Sequence, residues 1–285
     1  MIIGEQLRVE IQRNVAAALA EDIGTGDLTA HLIPDSVQAR GRVITRENAI
    51  LCGSAWFDAA FAALQPNALV TWHAADGDRL EAGQPICDII ATARSLLTAE
   101  RTALNLLCHM SGVATLTRRW ADALTGTSAV VRDTRKTLPG LRALQKYAVR
   151  CGGGQNHRMA LSDAALVKDN HVLAAGGVAE AFAAVRSLAA SIPVEIEVDS
   201  LDGLREAIDA GADVVLLDNF TPEQMEEAVA IRDEVRREVI LEASGGLTLQ
   251  TARRVGETGV DYIAVGELTH SVTVFDIGLD LRSVS

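Results

Sequence analysis

Eight Lys and Arg side chains, against two Asp and no Glu, fall between Arg132 and Lys168 in a chain whose net charge is −12. The cluster opens in "VVRDTRKTLPG" (130–140), a strand-like run that brings Arg132, Arg135 and Lys136 to its end and breaks at Pro139-Gly140. That window is about +6, which leaves about −18 for the remainder. A concentrated cationic pocket in an acidic protein suits a small, multiply anionic ligand. An extended nucleic-acid backbone would call for a basic face on a basic domain, so the charge pattern excludes that class of partner.

The cations divide by chemistry. Arg135 and Arg158 present planar forks suited to bidentate carboxylate binding, whereas Lys136 and Lys168 offer point charges for phosphate. Glu197 and Asp218 close successive apolar runs. Beside a phosphate they would repel it, but with Mg²⁺ they become natural ligands. "EASGGLT" places Ser244, Gly245 and Gly246 between a strand and a helix start, where backbone N–H groups favour a phosphate. "AVGELTH", with Gly266, repeats the pattern one unit later. Lys168 could instead form a Schiff base, as in barrel aldolases. Arg101 shares a helical stripe with Leu97, Leu104 and Cys108, and a buried Arg there must meet an anion.

These side chains need a scaffold that gathers them. From 129 onward, apolar runs recur as "AVVRDT", "ALVKDN", "PVEIEVDS", "DVVLLDN", "VILEASGG" and "DYIAVGE", separated by segments of helical periodicity. Strands this apolar, alternating with helices, predict a parallel sheet covered on both faces. With no G-x-G-x-x-G after the first strand, the pattern fits a (β/α) barrel better than a dinucleotide fold. Active sites of such barrels lie at the C-terminal strand ends. Read in order, those ends are Thr134-Arg135-Lys136, Lys168-Asp169-Asn170-His171, Glu195/Glu197/Asp199, Asp218-Asn219, Ser244-Gly245-Gly246 and Gly266.

The N-terminal part reads differently. Leu7, Ile11, Val15 and Leu19 sit at helical spacing, followed by short β-type runs within 41–53, 67–80 and 83–93 and a helix near 54–64. This is an α+β pattern with an antiparallel sheet, and a long helix over about 95–124 leads out of it. The closing "TVFDIGLDLR" alternates like a last strand that leaves the barrel to rejoin the first sheet. Four widely spaced cysteines without a CxxC pair suit reduced thiols in the cytoplasm. The N-terminus has no signal-peptide pattern, and no apolar stretch is long enough to span a bilayer.

The chain resembles the quinolinate phosphoribosyltransferase family along almost its whole length. The resemblance rests on "EDIGTGDLT", "LCG", "ERTALN", "SGVAT", "DTRKTLPGLRALQKYAVRCGGGQNHR", "KDNH", "EIEVDS", "LLDN", "ASGG" and "GVDYIAVGELTHS". It implies an N-terminal α/β sandwich domain (1–110), an open (β/α) barrel (111–271) and a tail (272–285) packed on the first domain. It also implies transfer of phosphoribosyl from phosphoribosyl pyrophosphate to the quinolinate nitrogen, with loss of CO₂, to give nicotinate mononucleotide for NAD synthesis. By the same resemblance Arg101, Arg135, His157, Arg158 and Lys168 hold quinolinate. Thr134 joins the substrate-binding set at the first strand end. Lys136, Lys168, Glu197, Asp218, Ser244, Gly245, Gly266 and His270 surround the phosphoribosyl group, with Mg²⁺ near Glu197 and Asp218. Lys136, Lys168, Glu197 and Asp218 form the catalytic set. The family's head-to-tail homodimer would carry Arg101 across to the partner's barrel; whether dimers assemble further stays open. A molybdenum-associated relative and a non-catalytic metabolite binder are the competing readings. An intact Lys168, Glu197 and Asp218 argue against the binder, which would have little use for a metal pair.

Overall fold

The helical spacing of Leu7, Ile11, Val15 and Leu19 forms α1 (Glu5–Ile23), which buries the last three of these side chains. After it come β1 (Gln38–Thr45), β2 (Ala49–Ile50), α2 (Ser54–Leu64), β3 (Leu69–Trp72), β4 (Arg79–Leu80), β5 (Pro85–Thr92) and the long helix α3 (Ala93–Ala123). The structure, a computed structural model, describes residues 3–188 and 192–284.

Residues to 118, together with 137–153 and 268 onward, group as one compact unit; 119–136 and 154–267 form a second. Segments 137–153 and 268–271, expected within the barrel, therefore belong with the first unit. Hydrogen bonds give the reason. Asn14 Nδ2 donates to the Gly140 carbonyl at 3.2 Å, and Gln145 Nε2 donates to the Thr269 carbonyl at 2.6 Å. Gln145 has no exposed surface, so a lost partner there would leave a buried amide unsatisfied.

The first unit's main sheet is antiparallel, in the order β12-β1-β5-β3, where β12 is Ile277–Val284. Val43 of β1 faces Leu279 on one side and Cys87 on the other. The tail thus returns to the first sheet, as its alternation predicted. Gly112 on α3 shows what that return requires. A Cβ at this position would lie 2.4 Å from the Thr273 carbonyl oxygen, so only glycine admits the tail backbone. Lower on α3, Ser111 Oγ accepts from the Cys52 amide and Thr115 Oγ1 from the Ile50 amide, which satisfies the short strand β2.

The second unit is a six-stranded parallel sheet. Its strands are β6 (Val130–Arg132), β7 (Ala165–Val167), β8 (Val194–Val198), β9 (Val214–Asp218), β10 (Ile240–Ser244) and β11 (Tyr262–Ala264). Their spatial order is β6-β11-β10-β9-β8-β7, so sequence neighbours pair throughout except that β6 joins β11. β6 and β7 remain the two edges, which makes the barrel open. Beside β6 the only added pairing among the described residues is a single bridge from Arg132 to Gln155. Helix α4 (Arg142–Cys151) belongs to the first unit. In the second unit α5 (Asp169–Ala175) and α6 (Val178–Leu188) follow β7, and α7 (Leu201–Asp209), α8 (Pro222–Val235) and α9 (Leu249–Gly256) follow β8, β9 and β10; α10 (Glu267–His270), after β11, belongs to the first unit from Leu268 on.

The middle strands are buried almost end to end, as continuous apolar runs in a covered parallel sheet must be. The four cysteines are free thiols, and no helix among the described residues is long and apolar enough to cross a membrane.

Candidate active site

The strand β6 delivers "RDTRK" to the open end of the sheet. Asp133, fully buried, anchors the loop at 155–158: its Oδ1 accepts the His157 amide at 2.9 Å and its Oδ2 accepts the Asn156 side chain. The Asp133 amide in turn donates to the Gln155 carbonyl at 3.2 Å. One buried carboxylate therefore ties the "QNHR" loop to the first barrel strand. Gly153, at φ +94°, turns the chain into that loop, a conformation L side chains adopt only under strain.

The loop sets Arg158 beside Arg135. Burial and the positive charge of Arg135 both push the Arg158 guanidinium below its ordinary range, and Arg158 Nη1 donates to the Ala164 carbonyl at 3.0 Å. Two half-buried guanidiniums that repel one another form a site suited to an anion. Thr134 caps the adjacent turn, its Oγ1 accepting the Lys136 amide at 3.0 Å, and leaves the Lys136 side chain exposed.

At the next strand end Lys168 starts α5 and forms an ion pair with Glu197 of β8. Asp218 closes β9, where its Oδ2 accepts from Asn219 Nδ2 at 2.8 Å. Asn219 is the one non-glycine residue with positive φ among those described, at 57°, and its amide donates to the Ser244 carbonyl at 2.8 Å. Its side chain lies so close to Gly245 that a Cβ there would come within 2.2 Å of Asn219 Oδ1. Asn219 thus couples the carboxylate end of β9 to the Ser244-Gly245-Gly246 turn, and the strain of its backbone is tolerated at that junction.

The other expected residues lie around the same rim or in the first unit. Gly266 follows β11, where Trp120 Nε1 donates to Glu267 Oε1 at 3.0 Å. His270 is exposed in the first unit, with Nδ1 2.6 Å from Ser271 Oγ. Arg101 also belongs to the first unit and is exposed, although Leu104 and Cys108 of the same stripe are buried. The expectation of a buried Arg101 is therefore corrected: the α3 stripe leaves the core at Leu97, which is 37% exposed, and Arg101 needs no anion from its own helix packing.

A second correction concerns depth. Glu195, expected on the rim, is the second residue of β8 and is buried. Glu195 Oε2 lies 2.7 Å from His157 Nε2, and Glu242, on β10 and fully buried, lies 3.5 Å from the same nitrogen. Arg132 Nη1 binds Glu242 Oε2 at 2.6 Å while its guanidinium lies 4.1 Å from the centroid of the Tyr262 ring. Glu242 and Asp133 were not among the residues that the sequence pattern singled out, and Asn219 was read only as a strand-end residue beside Asp218. A lone carboxylate inside the apolar run "VILEAS" was the signal for the first, since a covered strand admits such a group only with partners.

Known proteins share both units of this architecture. Residues 113–280 match the family described as quinolinate phosphoribosyl transferase, C-terminal domain, and residues 27–111 match its N-terminal domain. The chain is 50% identical to nicotinate-nucleotide pyrophosphorylase [carboxylating] of Mycobacterium leprae, over 94% of this chain and 95% of that protein. It is 41% identical to the probable enzyme of the same name from Bacillus subtilis, over 92% and 90% of the two chains. Among solved structures, nicotinate-nucleotide pyrophosphorylase from Francisella tularensis superposes with a TM-score of 0.91 at 41% identity, covering 96% of this chain and 97% of the other.

Proposed function

The chain belongs to the quinolinate phosphoribosyltransferase family, and from that premise we infer how its own residues divide the reaction. The reaction is transfer of phosphoribosyl from phosphoribosyl pyrophosphate to quinolinate, with decarboxylation, to give nicotinate mononucleotide, pyrophosphate and CO₂ in NAD biosynthesis. The observation that carries the assignment is the split of the rim into two kinds of anion site. Arg135 and Arg158 form a guanidinium pair, and Lys168, Glu197, Asp218, Ser244 and Gly245 form a mixed-charge arc along the next strand ends.

The guanidinium pair suits the two ring carboxylates of quinolinate. His157 serves it through Arg158, whose amide donates to His157 Nδ1 at 2.7 Å. The arc suits the sugar and its phosphates: Lys136 and Lys168 supply positive charge, the Ser244–Gly246 turn supplies backbone donors, and Gly266 continues the set at the next strand end. Lys168 meets a carboxylate rather than an apolar pocket, which favours this role over a Schiff base.

Mg²⁺ fits the arc. Glu197, one residue before the end of β8, and Asp218, at the end of β9, lie on adjacent parallel strands, each with one oxygen held, by Lys168 and Asn219, and a second outside those contacts. Two carboxylates plus substrate phosphates are the ligand set this ion prefers, and when bound it would offset charge developing on the departing pyrophosphate. As the C1–O bond breaks, positive charge builds on the ribose, and carboxylates beside it stabilise that charge. The quinolinate nitrogen becomes a pyridinium once it bonds to C1. The ring can then hold the electron pair left at C2 when CO₂ departs, until a proton replaces it.

The reading extends to a cytoplasmic homodimer in which Arg101 reaches the partner's barrel. Leu28, Leu32 and Leu97 are exposed on the unit that carries Arg101, apolar side chains that a partner would cover.

The test is the assay itself. Quinolinate and phosphoribosyl pyrophosphate should give nicotinate mononucleotide with one CO₂ per pyrophosphate, fall silent in chelator and recover with Mg²⁺. Glu197→Gln and Asp218→Asn should weaken phosphoribosyl pyrophosphate binding in titrations while sparing quinolinate. Full activity in chelator, or loss confined to quinolinate binding, would overturn the metal assignment.

A further inference from the structure

Asn219 holds a left-handed backbone at the open end of the sheet, and its own packing gives no reason for it. Its φ of 57° is one that glycine takes without strain, and the residue is exposed, so core packing does not compensate. The next helix does not need it either. Thr221 caps α8, its Oγ1 accepting the Gln224 amide at 3.3 Å, and its own amide donates to Gln224 Oε1 at 2.8 Å. What asparagine adds over glycine is a side chain, and that side chain lies between two parts of the rim. Its Nδ2 donates to Asp218 Oδ2 at 2.8 Å; a carboxylate only accepts, so the orientation of the amide follows. Its Oδ1 faces the next turn, 2.2 Å from where a Cβ on Gly245 would lie. The Asn219 backbone amide meanwhile donates to the Ser244 carbonyl at 2.8 Å. In a planar trans peptide the Ser244 carbonyl and the Gly245 N–H point in opposite directions, so this bond also aims the Gly245 N–H.

We propose that Asn219 is a positioning residue for phosphoribosyl pyrophosphate. It locks Asp218 and the Ser244–Gly246 turn into one unit, so that the second Asp218 oxygen and the backbone donors of the turn meet one substrate at a fixed separation. The proposal rests on the reading above, in which both groups belong to the phosphoribosyl half of the rim. Left separate, the carboxylate and the turn would each have to be ordered as substrate binds, which weakens binding. Held beforehand by one residue, they bind without that loss. The quinolinate half has its own tie, from Asp133 to the His157 amide, so removal of the Asn219 side chain should be felt on one side of the rim only.

Calorimetry of each ligand alone, in Mg²⁺, reads the difference between the two halves. Asn219→Gly keeps the left-handed backbone and removes the side chain. It should raise the Kd for phosphoribosyl pyrophosphate about tenfold, leave the quinolinate Kd unchanged and keep Tm near that of the wild type. Asn219→Asp keeps the shape but sets a second carboxylate against Asp218, and should weaken the same ligand further. A merely structural role would instead lower Tm and weaken both ligands together. An unchanged phosphoribosyl pyrophosphate Kd in either variant, or an equal loss for quinolinate, would overturn the proposal. Should Asn219→Gly fail to fold, Asn219→Asp decides by the same comparison. Asp218→Asn separates the proposal from its premise. Normal phosphoribosyl pyrophosphate binding by that variant would refute the place of Asp218 in this half of the rim, and the proposal with it. Weak binding by Asp218→Asn beside normal binding by the Asn219 variants would refute the positioning role alone.

Discussion

Arg158→Lys and Arg135→Lys should each weaken quinolinate binding by about 2–5 kcal/mol, the range for a desolvated charged partner whose geometry is lost. Charge is conserved in both variants, so a rim that needed only positive potential would tolerate them. The structure argues otherwise. Arg158 is fixed at three points: its amide on His157, its Nη1 on the Ala164 carbonyl, and its loop on Asp133. A lysine at either position replaces a planar fork with a point charge on a flexible stem and cannot hold two carboxylate oxygens at once. Calorimetric titration of quinolinate alone, without the second substrate, isolates the effect. Near-normal affinity in either variant would remove that arginine from the acceptor site. A matching loss of phosphoribosyl pyrophosphate affinity would move it to the other half of the rim.

Mixing two inactive variants should restore activity. Arg101 lies exposed on α3 of the first unit, next to exposed Leu97, whereas Arg135 ends a strand of the second unit. In a head-to-tail dimer each pocket draws Arg135 from one chain and Arg101 from the other. Arg101→Ala and Arg135→Ala homodimers should then each be nearly inactive. A heterodimer of the two holds one pocket with both native arginines and one with neither, so it should show about half of wild-type activity per dimer. Such recovery cannot come from either chain alone. With heterodimers verified by mass, an absence of recovery would put Arg101 outside the partner's pocket.

Much of this arrangement was legible in the residues. The apolar runs at 194–198, 214–218 and 240–244 announce covered parallel strands because a strand buried on both faces has no polar side to alternate with. The strand-end chemistry at Arg135, Lys168, Asp218 and Ser244 comes from the same pattern, since parallel strands share one C-terminal end. Depth was harder. Glu195, Glu197 and Asp199 alternate on one face, and a period of two fixes the face but not how far each residue lies from the rim. Only the His157 loop, held beside β6 by Asp133 and reaching Glu195 on β8, shows that Glu195 is buried. Arg101 misled for a related reason: helical periodicity marks a stripe, but which turns of a long helix leave the core depends on where the packed elements end. The grouping of 137–153 with the first unit likewise depends on long-range bonds such as Gln145 to Thr269, which no local pattern encodes.

The central claim is that this rim recognises two carboxylates on one acceptor ring, and acceptor competition tests it most directly. Quinolinate and nicotinate, each with saturating phosphoribosyl pyrophosphate and Mg²⁺, are compared by kcat/KM for nicotinate mononucleotide formation. A site built to fork two carboxylates with paired guanidiniums loses one bidentate contact when one carboxylate is missing, and sites built to bond a substrate's polar group reject the analogue lacking it by about four orders of magnitude. The account predicts efficient turnover of quinolinate and almost none of nicotinate. Comparable kcat/KM values for the two acceptors would contradict it.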